Sequence, residues 1–120
     1  MNITVKGMPE LQKILKNMPS KVEGAVHKEM KTIVEDLKGK AQLLTPVGET
    51  GDLQGSAFAE VEKLDGVTGF TSPYALKQHE ELGFRHPKGG QAKFLETPYK
   101  ENQDKYIEAI RKAAKGAVEK

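Results

Sequence analysis

Along the stretch from Val22 to Leu44 the apolar positions Val22, Val26, Met30, Ile33, Val34, Leu37, Ala41 and Leu44 recur at intervals of three and four, with Lys21, Lys28, Glu35, Asp36 and Lys38 outside the stripe. That spacing lays one apolar face along about six turns of helix and leaves the other face to water. Ser20 followed by Glu23 has the form of a capping box and predicts the start. Pro46 predicts the end, because the residue before a proline is pushed out of the helical region. Upstream, the alternation from Asn2 to Val5 predicts a short strand, and Met8, Leu11, Ile14, Leu15 and Met18 predict a short helix that Pro19 ends.

Downstream the period changes. "AFAEVEKL", residues 57–64, runs in imperfect period two, and "VTGFTS", residues 67–72, is rich in β-branched and aromatic residues. With Asp65 and Gly66 as the turn signal, the two predict an antiparallel hairpin. Ser72 and Pro73 predict the start of a short helix, with Gly83 as the left-handed residue past its end. Residues 84–93, "FRHPKGGQAK", hold one proline, two glycines and three formal positive charges without an acid, which predicts a loop or flexible arm. Thr97 and Pro98 predict the start of a last helix that carries Tyr99, Tyr106, Ile107, Ile110, Ala113, Ala114 and Ala117 at helical spacing. In the link "TPVGETGDLQGS", residues 45–56, Thr50 can accept from the amides of Asp52 or Leu53, Gly51 permits an unusual backbone angle, and Leu53 can plug the core. The order of elements predicts an α+β fold over residues 1–120, a single domain in which long amphipathic helices pack on a small antiparallel β-sheet.

Composition narrows the chemistry. At 120 residues the chain can bury one modest core, and the lack of cysteine excludes disulfides, cysteine metal sites and thiol catalysis. A hydrophobic fraction of 37%, a charged fraction of 30% and no Trp suit a surface that meets other macromolecules better than a deep apolar pocket. Nineteen basic against seventeen acidic side chains give +2, short of the excess expected of a dedicated nucleic-acid binder. The opening "MNITVKGMPEL" has no apolar h-region, and nowhere do about 18 apolar residues run together, so neither a signal peptide nor a membrane span is predicted and a cytoplasm is the expected place of synthesis.

The candidate chemistry centres on "HEELGFRH", residues 79–86. His79 and Glu80 look like the first half of a His-Glu-x-x-His zinc helix, but Gly83 stands where the second histidine belongs and His86 lies beyond the helix end. A metal hydrolase using His79, Glu80 and His86 is thus the enzymatic alternative, set against a plain polar helix face followed by an interface loop. Glu80 and Glu81 diverge by about 100° on a helix and do not converge on one substrate. Glu60 and Glu62 share one strand face, as solvated charges on a hairpin do. No nucleophile-base motif accompanies either pair, no cofactor is implied, and His27 falls among lysines and is expected to be solvated. "PKGGQAK" lacks the spacing and the Lys-Ser/Thr ending of a phosphate-binding loop. Arg85, Lys88 and Lys93, with Phe84 and His86 among them, can touch a nucleic-acid backbone, which makes a nucleic-acid-binding module built on residues 84–93 the other alternative.

The succession of long helix, "TPVGETGDLQGS", hairpin, "PYALKQHEELG", glycine-bearing loop, "KFLETP" and terminal helix resembles the small tail-component family of long-tailed bacteriophages and prophages, whose members are described as neck, minor capsid, head-to-tail joining or tail-completion proteins. The marks are Ala41, Thr45, Pro46 and Val47; Thr50, Gly51, Leu53 and Ser56; Tyr74, Ala75, Glu80 and Gly83; and Phe94, Leu95 and Pro98. The chain departs from the family's pattern at Gln54, where a basic residue is frequent, at Ala57, where a bulkier apolar one is, and at Gly83 and Phe84, where Gly-Thr is common. The resemblance implies a non-enzymatic virion protein, present in the host cytoplasm during assembly and then at the head-to-tail junction. It implies a homo-oligomeric ring, sixfold or twelvefold, that meets other neck, connector and tail-tube proteins, makes non-specific DNA contact in its channel, and needs no cofactor and no membrane. Phe84, Arg85, His86, Lys88 and Lys93 are the expected interface residues of the arm, and Thr50, Gly51, Leu53, Phe94 and Leu95 the expected structural motif.

Overall fold

The computed structural model describes residues 2–6, 20–45, 52–73, 75–80 and 93–119. Among them run β1 (Asn2–Lys6), α1 (Ser20–Leu44), α2 (Asp52–Gly55), β2 (Ala57–Glu62), β3 (Asp65–Phe70), α3 (Ala75–Glu80) and α4 (Glu96–Glu119). The α+β class holds, with two long helices and a three-stranded antiparallel sheet in the order β1-β3-β2. The helix predicted over residues 8–18, the link residues 46–51, Gly83 and the arm residues 84–92 lie outside the described residues.

The stripe that predicts α1 is the stripe it buries: Val22, Val26, Met30, Ile33, Val34, Leu37 and Ala41 are all enclosed. At its C-terminus Thr45 is buried and turns back on the helix, its amide donating to the Gln42 carbonyl at 3.3 Å and its hydroxyl to the Ala41 carbonyl at 2.7 Å. These bonds satisfy carbonyls that the end of a helix otherwise leaves without partners. Gln42 and Gln54 then exchange side-chain-to-carbonyl bonds of 3.2 and 2.9 Å, which ties α2 to the end of α1. Gln54 is thus held in a reciprocal pair with Gln42. Leu53 packs against the core as expected, and its carbonyl receives both the amide and the hydroxyl of Ser56, at 3.2 and 2.8 Å.

The hairpin turns two residues earlier than the sequence suggests. Glu62 pairs with Asp65, so the loop is Lys63 and Leu64, and Lys63 adopts a left-handed φ of 54°. Asp65 and Gly66 already belong to β3. Gly66 is required for a different reason: a Cβ on it would stand 2.4 Å from Val34 Cγ1 and 2.9 Å from the Met30 side chain. The strand therefore lies directly on α1. Two residues on, the buried Thr68 hydroxyl donates to the Val34 carbonyl at 3.0 Å, and two further on Phe70 enters the core. Ala57, Ala59 and Val61 pair with these positions and pack against the same core, whereas Glu60 and Glu62 stand exposed on the other face.

α4 runs antiparallel to α1, since Lys21 and Ala25 near one helix's start adjoin Lys112, Ala113, Gly116 and Ala117 near the other's end. Midway, the Tyr106 hydroxyl donates to Asp36 Oδ2 at 2.6 Å, and the Lys40 ammonium pairs with the same carboxylate while lying 5.9 Å from the Tyr106 ring centre. Burial opposes ionisation of Asp36, but the hydrogen bonds from Lys40 and Tyr106 outweigh it and hold the carboxyl below its ordinary range. Burial and the bond to Asp36 together push the Tyr106 phenol well above its ordinary value. A buried tyrosine needs such a partner, and α1 supplies it.

Gly66→Ala should force Met30 and Val34 apart and cost about 1–3 kcal/mol, the range for overpacking a core. Gly24→Ala, in α1 where a Cβ meets nothing within 4 Å, should instead stabilise by roughly 0.5–1 kcal/mol through helix propensity. Urea midpoints of the two variants moving in opposite directions is the expected result.

Candidate functional site

The residues that sequence reasoning singles out for chemistry converge where α3 meets the start of α4. α3 begins at Ala75, whose amide donates to the Ser72 carbonyl at 3.1 Å, so Pro73 sits in the turn before the helix and not at its first position. His79 and Glu80 close α3. The chain re-enters at Lys93, whose amide donates to the His79 carbonyl at 2.7 Å. Lys93 has a left-handed φ of 57°, and the bend aims Phe94 and Leu95 into the core, where both are fully enclosed. α4 then starts at Glu96, one residue before Thr97, with the Thr97 amide on the Lys93 carbonyl at 2.9 Å. Pro98, buried in that first turn, gives up no helical hydrogen bond there because those amides have no intrahelical partner.

His79 is not part of a polar helix face. Its side chain is 6% exposed, and its ring stands edge-on to Phe94 with centroids 5.1 Å apart, while Phe94 stands edge-on to Phe70 at 5.0 Å. Nε2 accepts the Glu96 amide proton at 3.1 Å, and Nδ1 lies 2.9 Å from Glu80 Oε1. An acceptor at Nε2 requires the neutral tautomer with its proton on Nδ1, donated to Glu80. His79 thus serves as a remote cap for α4, in the place an Asn or Ser would hold from the adjoining chain.

Glu80 extends the arrangement. Its Oε2 accepts from the Lys93 ammonium, which also stands 3.4 Å from Glu96 Oε2, and Glu96 Oε1 pairs with Lys100 at 2.7 Å. The bond from Lys93, followed by that from His79, holds the Glu80 carboxyl below its ordinary value. Lys100 does the same for Glu96, and Glu80 pushes Lys93 up. Lys93, expected in the arm, is therefore engaged at the base of the fold. Phe84, Arg85, His86 and Lys88, together with Thr50 and Gly51, lie outside the described residues.

Chemically the cluster is occupied with itself. A metal at His79 would have to displace either the Glu96 amide or Glu80, and proton abstraction by Nε2 would first have to break the cap. Among the described residues no three His, Cys, Asp or Glu side chains gather as a metal site, and no helix is long and apolar enough to cross a membrane. His27 differs from expectation: it is half-buried, with Nδ1 2.5 Å from the Lys63 carbonyl, and it fastens the hairpin loop to α1. The Tyr106 to Asp36 bond is also absent from the sequence reading, although a tyrosine in an apolar stripe signals that a polar partner lies on the opposing element. Comparison with protein-family models, with curated proteins and with solved structures finds no match.

His79→Ala should leave the Glu96 amide without its partner and a gap beside Phe94, at a cost of about 2–4 kcal/mol. His79→Gln, whose side-chain amide reaches the place of Nε2, should recover part of this in the same urea titration. The carboxyls of Glu80 and Glu96 are depressed in the folded state, so the stability they confer is present above the ordinary carboxyl value of 4.5 and lost as pH falls through their lower folded values. Urea midpoints measured downward from pH 5 should therefore fall, and fall less steeply in Glu80→Gln.

Proposed function

We propose that this chain is a non-enzymatic building block of a long-tailed phage or prophage particle, one that assembles as a ring at the head-to-tail junction, joins or completes the tail, and leaves a channel for DNA. The observation that carries this reading is where the motif residues fall. Ala41 and Thr45 lie at the end of α1, Leu53 and Ser56 at the step from α2 to the hairpin, Ala75 and Glu80 in α3, and Phe94, Leu95 and Pro98 at the start of α4. Each is buried, hydrogen-bonded or packed at a joint between elements. Among the described residues, those that mark the resemblance thus sit at joints between elements and do not gather around a cleft, which suits a scaffold better than a catalyst. Two helices of 25 and 24 residues give an elongated body of 51 × 21 × 19 Å. Unlike surfaces on such a body meet head to tail, and contacts of that kind close into rings when the rotation between neighbours permits. The partners are then further copies of the chain and the neck, connector and tail-tube proteins above and below.

Native mass spectrometry with light scattering, and electron microscopy of any large species, tests this directly. A closed ring with a central channel is the expected result, formed by the chain alone or on addition of its tail-tube partner. A chain that stays monomeric in both settings, and binds DNA with an affinity that falls steeply with salt, would replace the ring with the nucleic-acid-binding alternative.

A further inference from the structure

Two unlike surfaces of the chain are complementary in charge. The first is a groove between the start of α1 and the end of α4, floored by Ala25, Ala113, Gly116 and Ala117 and rimmed by Lys21 and Lys112. The space above Gly116 is open, since a Cβ built there meets nothing within 4 Å. Both lysines are exposed, and neither forms an ion pair among the described residues.

The second surface lies at the hairpin, a shallow hollow lined by Glu60, Val61, Glu62, Lys63, Asp65 and Val67, with the glutamates on the side away from the core. Glu60 and Glu62 are exposed and likewise unpaired among the described residues. Two apart on one strand face, their carboxylates recur at about 7 Å. Asp65 Oδ1 beside them is shut off from solvent and makes no hydrogen bond among the described residues, so a cation brought to this face offsets part of the cost of its burial.

These surfaces cannot meet within one molecule. The hairpin packs on α1 through Gly66 and Thr68, whereas the groove opens where α1 meets α4, the side marked by the Asp36 to Tyr106 bond. We propose that the β2–β3 hairpin of one copy seats in the α1–α4 groove of the next, with Glu60 and Glu62 against Lys21 and Lys112 and the strand backbone over the small residues of the floor. Lys63, of the same sign as the rims, then projects past the groove's end from the tip of the hairpin. The contact joins two different patches, so it repeats from copy to copy and can close a ring. The proposal rests on the reading that the chain assembles with copies of itself, and it names the surfaces that do so.

Three variants and one mixture test it, with native mass spectrometry as the readout and circular dichroism confirming the fold. Gly116→Leu fills the groove at an open helical position, so it should keep the helix and abolish assembly. Glu60→Lys with Glu62→Lys, and separately Lys21→Glu with Lys112→Glu, should each weaken association by about 100-fold or more, because like charges then face one another. Mixed in equal amounts, the two charge-reversed proteins should assemble again, in even-numbered species with the two variants at one to one. Assemblies of unchanged mass in all three variants, or a mixture that stays monomeric, would overturn the docking while leaving a ring built on other surfaces. A wild-type chain that is monomeric alone and with its tail-tube partner would overturn both together.

Discussion

The close approach of β3 to α1 at Gly66 is the contact on which the rest of the molecule is stacked. Without a side chain at that position the strand backbone rests on Met30 and Val34, and this proximity lets the Thr68 hydroxyl reach the Val34 carbonyl. Phe70, the next residue on that face, is thereby set edge-on to Phe94, Phe94 edge-on to His79, and His79 against the first turn of α4. One missing methyl group thus propagates through four side chains to the position of the terminal helix. The return path is electrostatic, since Tyr106 on α4 comes back to Asp36 on α1.

The two faces of α1 obey different rules. Toward the sheet the contacts are apolar and tight, with polar bonds from Thr68 to the Val34 carbonyl and between His27 and the Lys63 carbonyl. Toward α4 a charged carboxylate is held by a phenol and an ammonium, and burial of its charge is tolerated because both partners donate to it. An apolar side chain at position 36 would remove that charge but leave the Tyr106 hydroxyl to find another acceptor.

How much of this was legible in the sequence depends on whether a signal is local. The stripe of α1 is a property of consecutive residues, and it marked both the helix and its buried side. Period two marks β2 and β3, yet Asp65 and Gly66 suggest the turn because that dipeptide favours turns, when the glycine answers to a helix more than thirty residues upstream. His79 looked like a residue on a wet face, since α3 alone does not reveal that Phe94 and the Glu96 amide will cover it. The same limit hid the partners of Tyr106 and His27. Lys93 looked like part of a basic arm, and only the closing of the chain on α3 shows its positive charge to be matched by Glu80 and Glu96.

The pairing of β1 has a bearing on how the chain acquires its shape. Residues 2–6 hydrogen-bond with β3 and not with a neighbour in sequence, so this ladder cannot form until the whole of α1 and the hairpin have been made. As the chain leaves the ribosome, α1 emerges with its apolar stripe uncovered, and the first strand waits for a partner at the far side of a long loop whose closure entropy must be met in one step. The hairpin, by contrast, closes over a two-residue loop, and its packing on α1 covers the apolar stripe of that helix.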